Sequence, residues 1–219
     1  MAYLYLFLLG LASGVALLAM SAYRRVTPSW LRWLLMGSGL LVIGRYVALA
    51  LFAGAESPHQ VWVFRHLWFG SSIGLALPSV FAVDQLVRHP AMTPKKLLAW
   101  VAPFLVADGA IMTVGHFRAG PDPIIGWTLH LSGPWRMVAA GTESVFAIGF
   151  IGTCILLMRK LPVRPIRVAL AGLVLGSLSL ALDGLLVALG RWYFRPFLFS
   201  EMIMCLALWH AYETAAETR

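Results

Sequence analysis

The spacing of the apolar runs constrains this chain more than any other feature. A helix needs roughly 20 predominantly apolar residues to cross the hydrocarbon core of a bilayer. Seven such runs occur, at 3–22, 30–53, 61–87, 97–116, 135–158, 166–190 and 195–213. The connections between them carry turn and helix-breaking residues: Arg24–Pro28, Gly54–Pro58, Arg88–Lys96 with two prolines, the longer 117–134 segment, Lys160–Pro165 and Gly190–Pro196. Only 12% of the 219 residues are charged and 60% are hydrophobic, whereas a soluble domain is about one-quarter charged. The expectation is an all-α integral membrane bundle of seven transmembrane helices, with 1–219 forming a single domain. The runs leave no room for a soluble catalytic or DNA-binding domain. The net charge of +8 is then read as lysine and arginine facing anionic lipid, not nucleic acid.

The basic residues set the expected orientation. Arg24, Arg25, Arg32, Arg88, Lys95, Lys96, Arg159, Lys160, Arg164, Arg167 and Arg219 fall on one side of the seven-run scheme. Arg65, Arg118, Arg136, Arg191 and Arg195 fall on the other, and Arg45 lies within the second run. By the positive-inside rule the N-terminus is outside and the C-terminus cytoplasmic. The first arginines follow the first apolar run, which fits an uncleaved first helix better than a signal peptide. Trp62, Trp127, Trp135, Trp192 and Tyr193 then form an outer interfacial belt, and Trp30, Trp33, Trp100 and Trp209 an inner one. Cys154 and Cys205 lie within apolar runs and read as small buried hydrophobes.

Small residues four apart let helix backbones approach closely. Gly10/Gly14, Gly70/Gly74 and Gly172/Gly176 have that spacing, and Gly149/Gly152 is a near variant. The third run is the most irregular. His66, Gly70, Gly74 and Pro78 share one face if it is a continuous helix. No internal repeat of the kind that marks many transporters is evident.

Charged groups within membrane helices are costly and usually face the bundle interior. In the expected topology Arg45, Arg65, His66, Asp108, Glu143, Asp183 and Glu201 all fall in the outer half, while the inner half holds only Asp84 and His210 near its surface. Two readings follow. One is an outward-facing cavity that takes a small molecule or ion from the outer side. The other is a set of ion pairs that fixes helix register. The four acids outnumber the two arginines, which favours the cavity. Asp183, on a face with Gly172, Gly176 and Ser179, leads the site candidates, followed by Glu143, Glu201 and Asp108. His66 is either a metal or haem ligand or a hydrogen-bonding group at a helix end. The 116–136 loop, flanked by His116 and His130, is either a lid or an interfacial cover.

The seventh run has no lysine for a retinal Schiff base. No H-x-x-x-H pair, CxxC, catalytic triad order or phosphate-binding glycine loop is present. The sequence identifies no cofactor, no metal set and no catalytic motif.

The order of features resembles the seven-helix membrane sensor region of some bacterial histidine kinases and related signalling proteins. The stretches that carry it are FRHLWFGSSIGLALPSVFAVDQLV, KKLLAWVAPFLVADGAIMTVGHF, GWTLHLSGPWRMVAAGTESVFAIGFIGTCILLMRK and LFSEMIMCLALWHAYE. The resemblance implies a multi-pass input module of the bacterial cytoplasmic membrane, coupled through its last helix to a cytoplasmic effector. This chain carries no kinase, cyclase or PAS-like segment, so the effector is expected to be a separate protein. The functional expectation is a receptor, signal-transducing module or accessory subunit. The alternatives are a metal- or haem-binding redox subunit and a small proton-coupled transporter.

Overall fold

The computed structural model describes residues 2–90, 92–122, 126–189 and 197–218. The elements run α1 Ala2–Tyr23, α2 Ser29–Ala53, α3 Pro58–Val63, α4 Arg65–Trp68, α5 Gly70–Val87, α6 Pro94–Val114, β1 Phe117–Asp122, β2 Gly126–Leu131, α7 Pro134–Lys160, α8 Arg164–Ala188 and α9 Leu198–Glu217. Prolines that separate the apolar runs in sequence sit in the first turns of α3, α6, α7 and α8, where a missing N–H costs nothing. Thr93 caps α6 by accepting from the Lys96 amide at 3.4 Å.

Six helical segments are long and apolar enough to cross a membrane: 3–23, 29–53, 65–87, 94–114, 134–160 and 164–187. The seventh expected span, α9, is not among them. Glu201, His210, Glu213 and Glu217 dilute its apolar character. It is nevertheless enclosed along most of its length, from Leu198 to Ala215, packing against α8, α1 and α5. The tryptophan, tyrosine and arginines at 191–195, together with Arg219, lie outside the described residues.

α1 buries Tyr5, Leu9, Ala12, Ala16, Ala19 and Tyr23, a spacing of three and four that forms one stripe on a helix. The alanines bring α1 close to α9 and α2. Gly10 and Gly14 are on the exposed side with no neighbour near them, so this small-residue pair does not make the contact its spacing suggests. Gly149 and Gly152 are likewise in open space. The other two pairs do pack. A Cβ on Gly70 would lie 2.7 Å from the Leu41 carbonyl, and one on Gly74 would lie 2.7 Å from the Ser38 carbonyl. At Gly176 it would meet Met204 Sδ at 2.7 Å. Gly70 and Gly74 thus set the approach of α5 to α2, and Gly176 that of α8 to α9.

The third apolar run is not one helix. The backbone turns out of helical geometry at Phe64 (φ −101°, ψ 9°) and Phe69 (φ −95°, ψ 6°), dividing it into α3, α4 and α5. At the second break the Ser72 amide donates to the Phe69 carbonyl at 3.3 Å instead of reaching back to Trp68. The Trp68 carbonyl is thereby released and accepts from Arg45 Nη1 at 2.5 Å. A charged donor from α2 therefore satisfies the carbonyl that the break exposes. The shared face expected for His66, Gly70, Gly74 and Pro78 is interrupted: the two glycines meet α2, whereas His66 reaches α6. α5 continues through Pro78, whose carbonyl accepts from the Tyr212 hydroxyl at 2.8 Å.

The all-α expectation misses a hairpin. β1 and β2 pair antiparallel, with Phe117 opposite Leu131 and Ala119 opposite Leu129. The signal is the short alternation in GWTLHL, flanked by glycines and prolines. It is masked by the low β-propensity of FRAGPD.

The glycine contrast has a direct consequence. Gly74→Ala is expected to lower stability by about 1–3 kcal/mol through overpacking against α2. Gly10→Ala is expected to be neutral or to raise stability by up to about 1 kcal/mol, the ordinary helix-propensity gain. Denaturant unfolding of the purified variants in mixed micelles measures both.

Candidate functional site

A cavity of about 570 Å³ lies between α2, α5, α6, α7, α8, α9 and β2. It occupies the end of the bundle where the hairpin sits, and Thr128, Leu129, His130 and Leu131 of β2 form part of its wall. The expected loop over the polar groups is therefore an ordered strand that lines the cavity.

Four of the seven candidate residues line it: Arg45, Asp108, Glu143 and Glu201. Arg45 comes from the second half of α2 and Glu201 from the first turn of α9. Both are buried, at 8% and 2% exposure, and Arg45 Nε lies 3.1 Å from Glu201 Oε1. The guanidinium also lies 5.6 Å from the Trp68 ring centroid, a cation–π distance. Glu201 Oε2 makes no hydrogen bond among the described residues, although the Tyr46 hydroxyl lies beside the carboxylate. The position of Glu201 at a helix N-terminus further favours its negative charge.

Glu143 is half-buried on α7 and accepts from the Ser72 hydroxyl at 3.0 Å. It lies within electrostatic reach of Arg45 and Glu201. Asp108 of α6 is 4% exposed, lies within electrostatic reach of Glu143, and has Oδ1 without a hydrogen-bond partner among the described residues. One buried arginine and three carboxyl groups thus line a single cavity, with Arg45 in reach of Glu201 and Glu143 and Asp108 in reach of Glu143.

The other three candidates do not line it. Asp183 Oδ2 accepts from the Phe197 amide at 2.8 Å and from the Ser200 hydroxyl at 2.5 Å. Phe197, at φ 71°, sits in the left-handed region just before α9. Asp183 thus holds the entry to α9 by taking an amide the helix cannot use itself. Arg65 stacks over Trp62, with its guanidinium carbon 5.5 Å from the ring centroid. His66 is exposed, with Nδ1 2.7 Å from the Met112 carbonyl of α6. This is the hydrogen-bonding geometry of the second sequence reading for this residue. Among the described residues, no three His, Cys, Asp or Glu side chains are grouped to hold a metal ion.

Sequence reasoning overlooked several wall residues. Ser72 carries no charge and sits in a small-residue stretch, yet its hydroxyl donates to Glu143. Phe104 and Phe146 lie within apolar runs and carry no signal that separates them from other aromatics there. They meet edge to face at 5.4 Å and line the cavity. Arg136 was assigned to the outer basic group; it lies exposed on the rim.

Removing one partner of a buried ion pair strands the other. Arg45→Met is expected to lower stability by about 3–5 kcal/mol. The double variant Arg45→Met/Glu201→Met is expected to recover most of that loss. Equilibrium unfolding in mixed micelles measures both, and a double variant no better than the single one would show that the pair is not the dominant constraint. Compared with known protein families, with curated proteins and with solved structures, the chain matches none.

Proposed function

We propose that the chain is a membrane receptor or signal-transducing module, or an accessory subunit of one, that binds a small molecule in the cavity at the hairpin end. The observation that carries this reading is the cavity itself. Its volume lies within the roughly 300–1,000 Å³ of small-molecule sites, and it combines aromatic and aliphatic walls with a few convergent polar groups, as such sites do. In this proposal α9 crosses the membrane as a seventh span, because burial of Glu201 against Arg45 removes its largest polar cost. The N-terminus and the hairpin are then outside and the C-terminus cytoplasmic. The contacts agree with that scheme: Arg25 pairs with Glu213, and Arg88 Nη2 donates to the Ala215 carbonyl at 2.5 Å. The basic connections after α1 and α5 therefore gather at the end of α9.

α9 gives this reading a route for output. Glu201 in its first turn belongs to the cavity, and Tyr212 and Glu213 near its other end are held by Pro78 of α5 and by Arg25 in the connection after α1. A ligand that competes for Glu201 would bias the position of a helix whose far end lies among the basic connections. Such coupling requires a differential affinity for two arrangements of α9. The resemblance to sensor regions supports the same direction, with a separate cytoplasmic effector as partner in a bacterial cytoplasmic membrane. The half of the bundle opposite the hairpin is filled by Leu31, Leu35, Phe81, Leu173 and Leu208, all fully enclosed, which disfavours a transport path.

Two measurements test the reading. Glu56→Cys is expected to react with a membrane-impermeant maleimide on intact cells, and Lys95→Cys only after permeabilisation. Cys154 and Cys205 are buried and give a low background. The reverse pattern would overturn the orientation. Native mass spectrometry of the purified protein is expected to detect a bound small molecule that is lost in Ala147→Trp, a variant that fills the cavity. An empty wild-type protein that gains no thermal stability from any small molecule screened would count against a ligand site.

A further inference from the structure

We propose that the ligand is an organic cation: an ammonium group carried on an aromatic or alkyl body. This inference rests on the cavity being a ligand site and specifies the class of molecule it takes.

The charge balance of the cavity comes first. Arg45 makes its closest contacts with Glu201, the Trp68 carbonyl and the Trp68 ring, and its charge also reaches Glu143, although its Nε and Glu201 Oε2 make no hydrogen bond among the described residues. Asp108 and Glu143 remain. Glu143 has only the Ser72 hydroxyl as a hydrogen-bond partner, and Asp108 Oδ1 has none among the described residues. Burying an acid at 4% exposure with a free oxygen is costly. Arg136 is the other arginine in the lining; it is exposed at the rim. His130, exposed on β2, is the histidine in the wall. An anionic ligand would meet an excess of carboxyl groups, whereas a cationic one would be matched to them.

The second observation is how the two acids are placed. Phe104 precedes Asp108 by four residues on α6, and Phe146 follows Glu143 by three on α7. At those spacings each acid and its phenylalanine share a helix face one turn apart. The two phenylalanines pack edge to face across the α6–α7 boundary, and the two acids lie within electrostatic reach of one another. The cavity therefore offers a pair of carboxyl groups at one level and a pair of aromatic rings at the next. An ammonium between the carboxyl groups would place its body along Phe104, Phe146 and Leu75, all of which line the cavity. A desolvated ammonium near an aromatic face gains further attraction. A bare metal ion fits less well, because the acids do not form a three-ligand group.

The test uses the full chain in lipid nanodiscs, with empty nanodiscs subtracted. Isothermal titration is run with 2-phenylethylammonium, its neutral isostere 2-phenylethanol and the anion phenylacetate. Saturable binding of the ammonium, at least tenfold tighter than the alcohol, is expected. Asp108→Asn and Glu143→Gln are each expected to weaken it at least tenfold, and Glu56→Gln, at an exposed site away from the cavity, to leave it unchanged. Because the three probes are compared on the unmodified protein, the result does not depend on any variant folding. Equal or tighter binding of the alcohol or of phenylacetate would overturn the cation assignment while leaving the cavity as a ligand site. Ammonium binding that ignores both carboxyl substitutions would also overturn it, by placing the cation elsewhere. No saturable binding of any of the three would overturn the cation assignment, and the native mass spectrum would then decide the ligand site independently.

Discussion

The buried pair between Arg45 and Glu201 is the interaction on which the arrangement of this bundle turns. A guanidinium on a long apolar helix is costly unless its charge is met inside the protein. Arg45 has three partners from two directions: the Glu201 carboxylate on α9, and the carbonyl and ring of Trp68 on α4, while its Nε makes an ion pair without a hydrogen bond among the described residues. The carbonyl is available only because the third apolar run leaves helical geometry at Phe69. The interruption and the arginine therefore explain one another. A straight helix would have used the Trp68 carbonyl internally, and an unbroken run would have left Arg45 short of an acceptor.

The same pair defines how α9 begins. Glu201 lies in its first turn, where amide groups lack internal partners and negative charge is favoured. Asp183 reaches the same helix start from α8 and takes the Phe197 amide. Two acids from different helices thus converge on one helix terminus, one balanced by an arginine and the other by an amide and a hydroxyl. That division of labour leaves Asp108 and Glu143 as the cavity carboxyl groups outside any ion pair among the described residues, Glu143 being in the longer-range reach of Arg45. It moves the chemical interest of the cavity from α8, where the sequence had put it, to the α6–α7 boundary.

Much of the architecture was legible because apolar length is a strict requirement for crossing a bilayer and survives without tertiary detail. Six of the expected runs form helical segments long and apolar enough to cross a membrane. The grouping of Arg45, Asp108, Glu143 and Glu201 also followed in part from sequence, since polar residues toward one end of neighbouring helices tend to turn inward, although Asp183, Arg65 and His66 at the same end do not join them. Small-residue spacing was a weaker guide. It marked Gly70, Gly74 and Gly176 well but also Gly10 and Gly14, which touch nothing, while the close approach of α1 came from Ala12, Ala16 and Ala19. A motif records that a face is narrow, not that a partner is there. Asp183 shared a small-residue face and so passed for a cavity residue. Only the path of the chain through Phe197 shows that its carboxylate is engaged at a helix start.

By itself, the sequence determined the number and length of the apolar runs, the clustering of charge toward one end, and the excess of acids over arginines there. These are properties of composition along the chain, and the energetics of burying charge fixes their meaning in any membrane fold. Tertiary structure alone decided which acid meets which partner: where the third run breaks, that 117–122 and 126–131 pair as strands with the second in the cavity wall, and that Asp183 is engaged while one Asp108 oxygen is not. Those outcomes depend on hydrogen-bond directions and helix rotations across distant segments, which no local pattern encodes. The apolar runs thus yielded the long helices and the gathering of charge, and the break at Phe69 gave Arg45 its carbonyl acceptor.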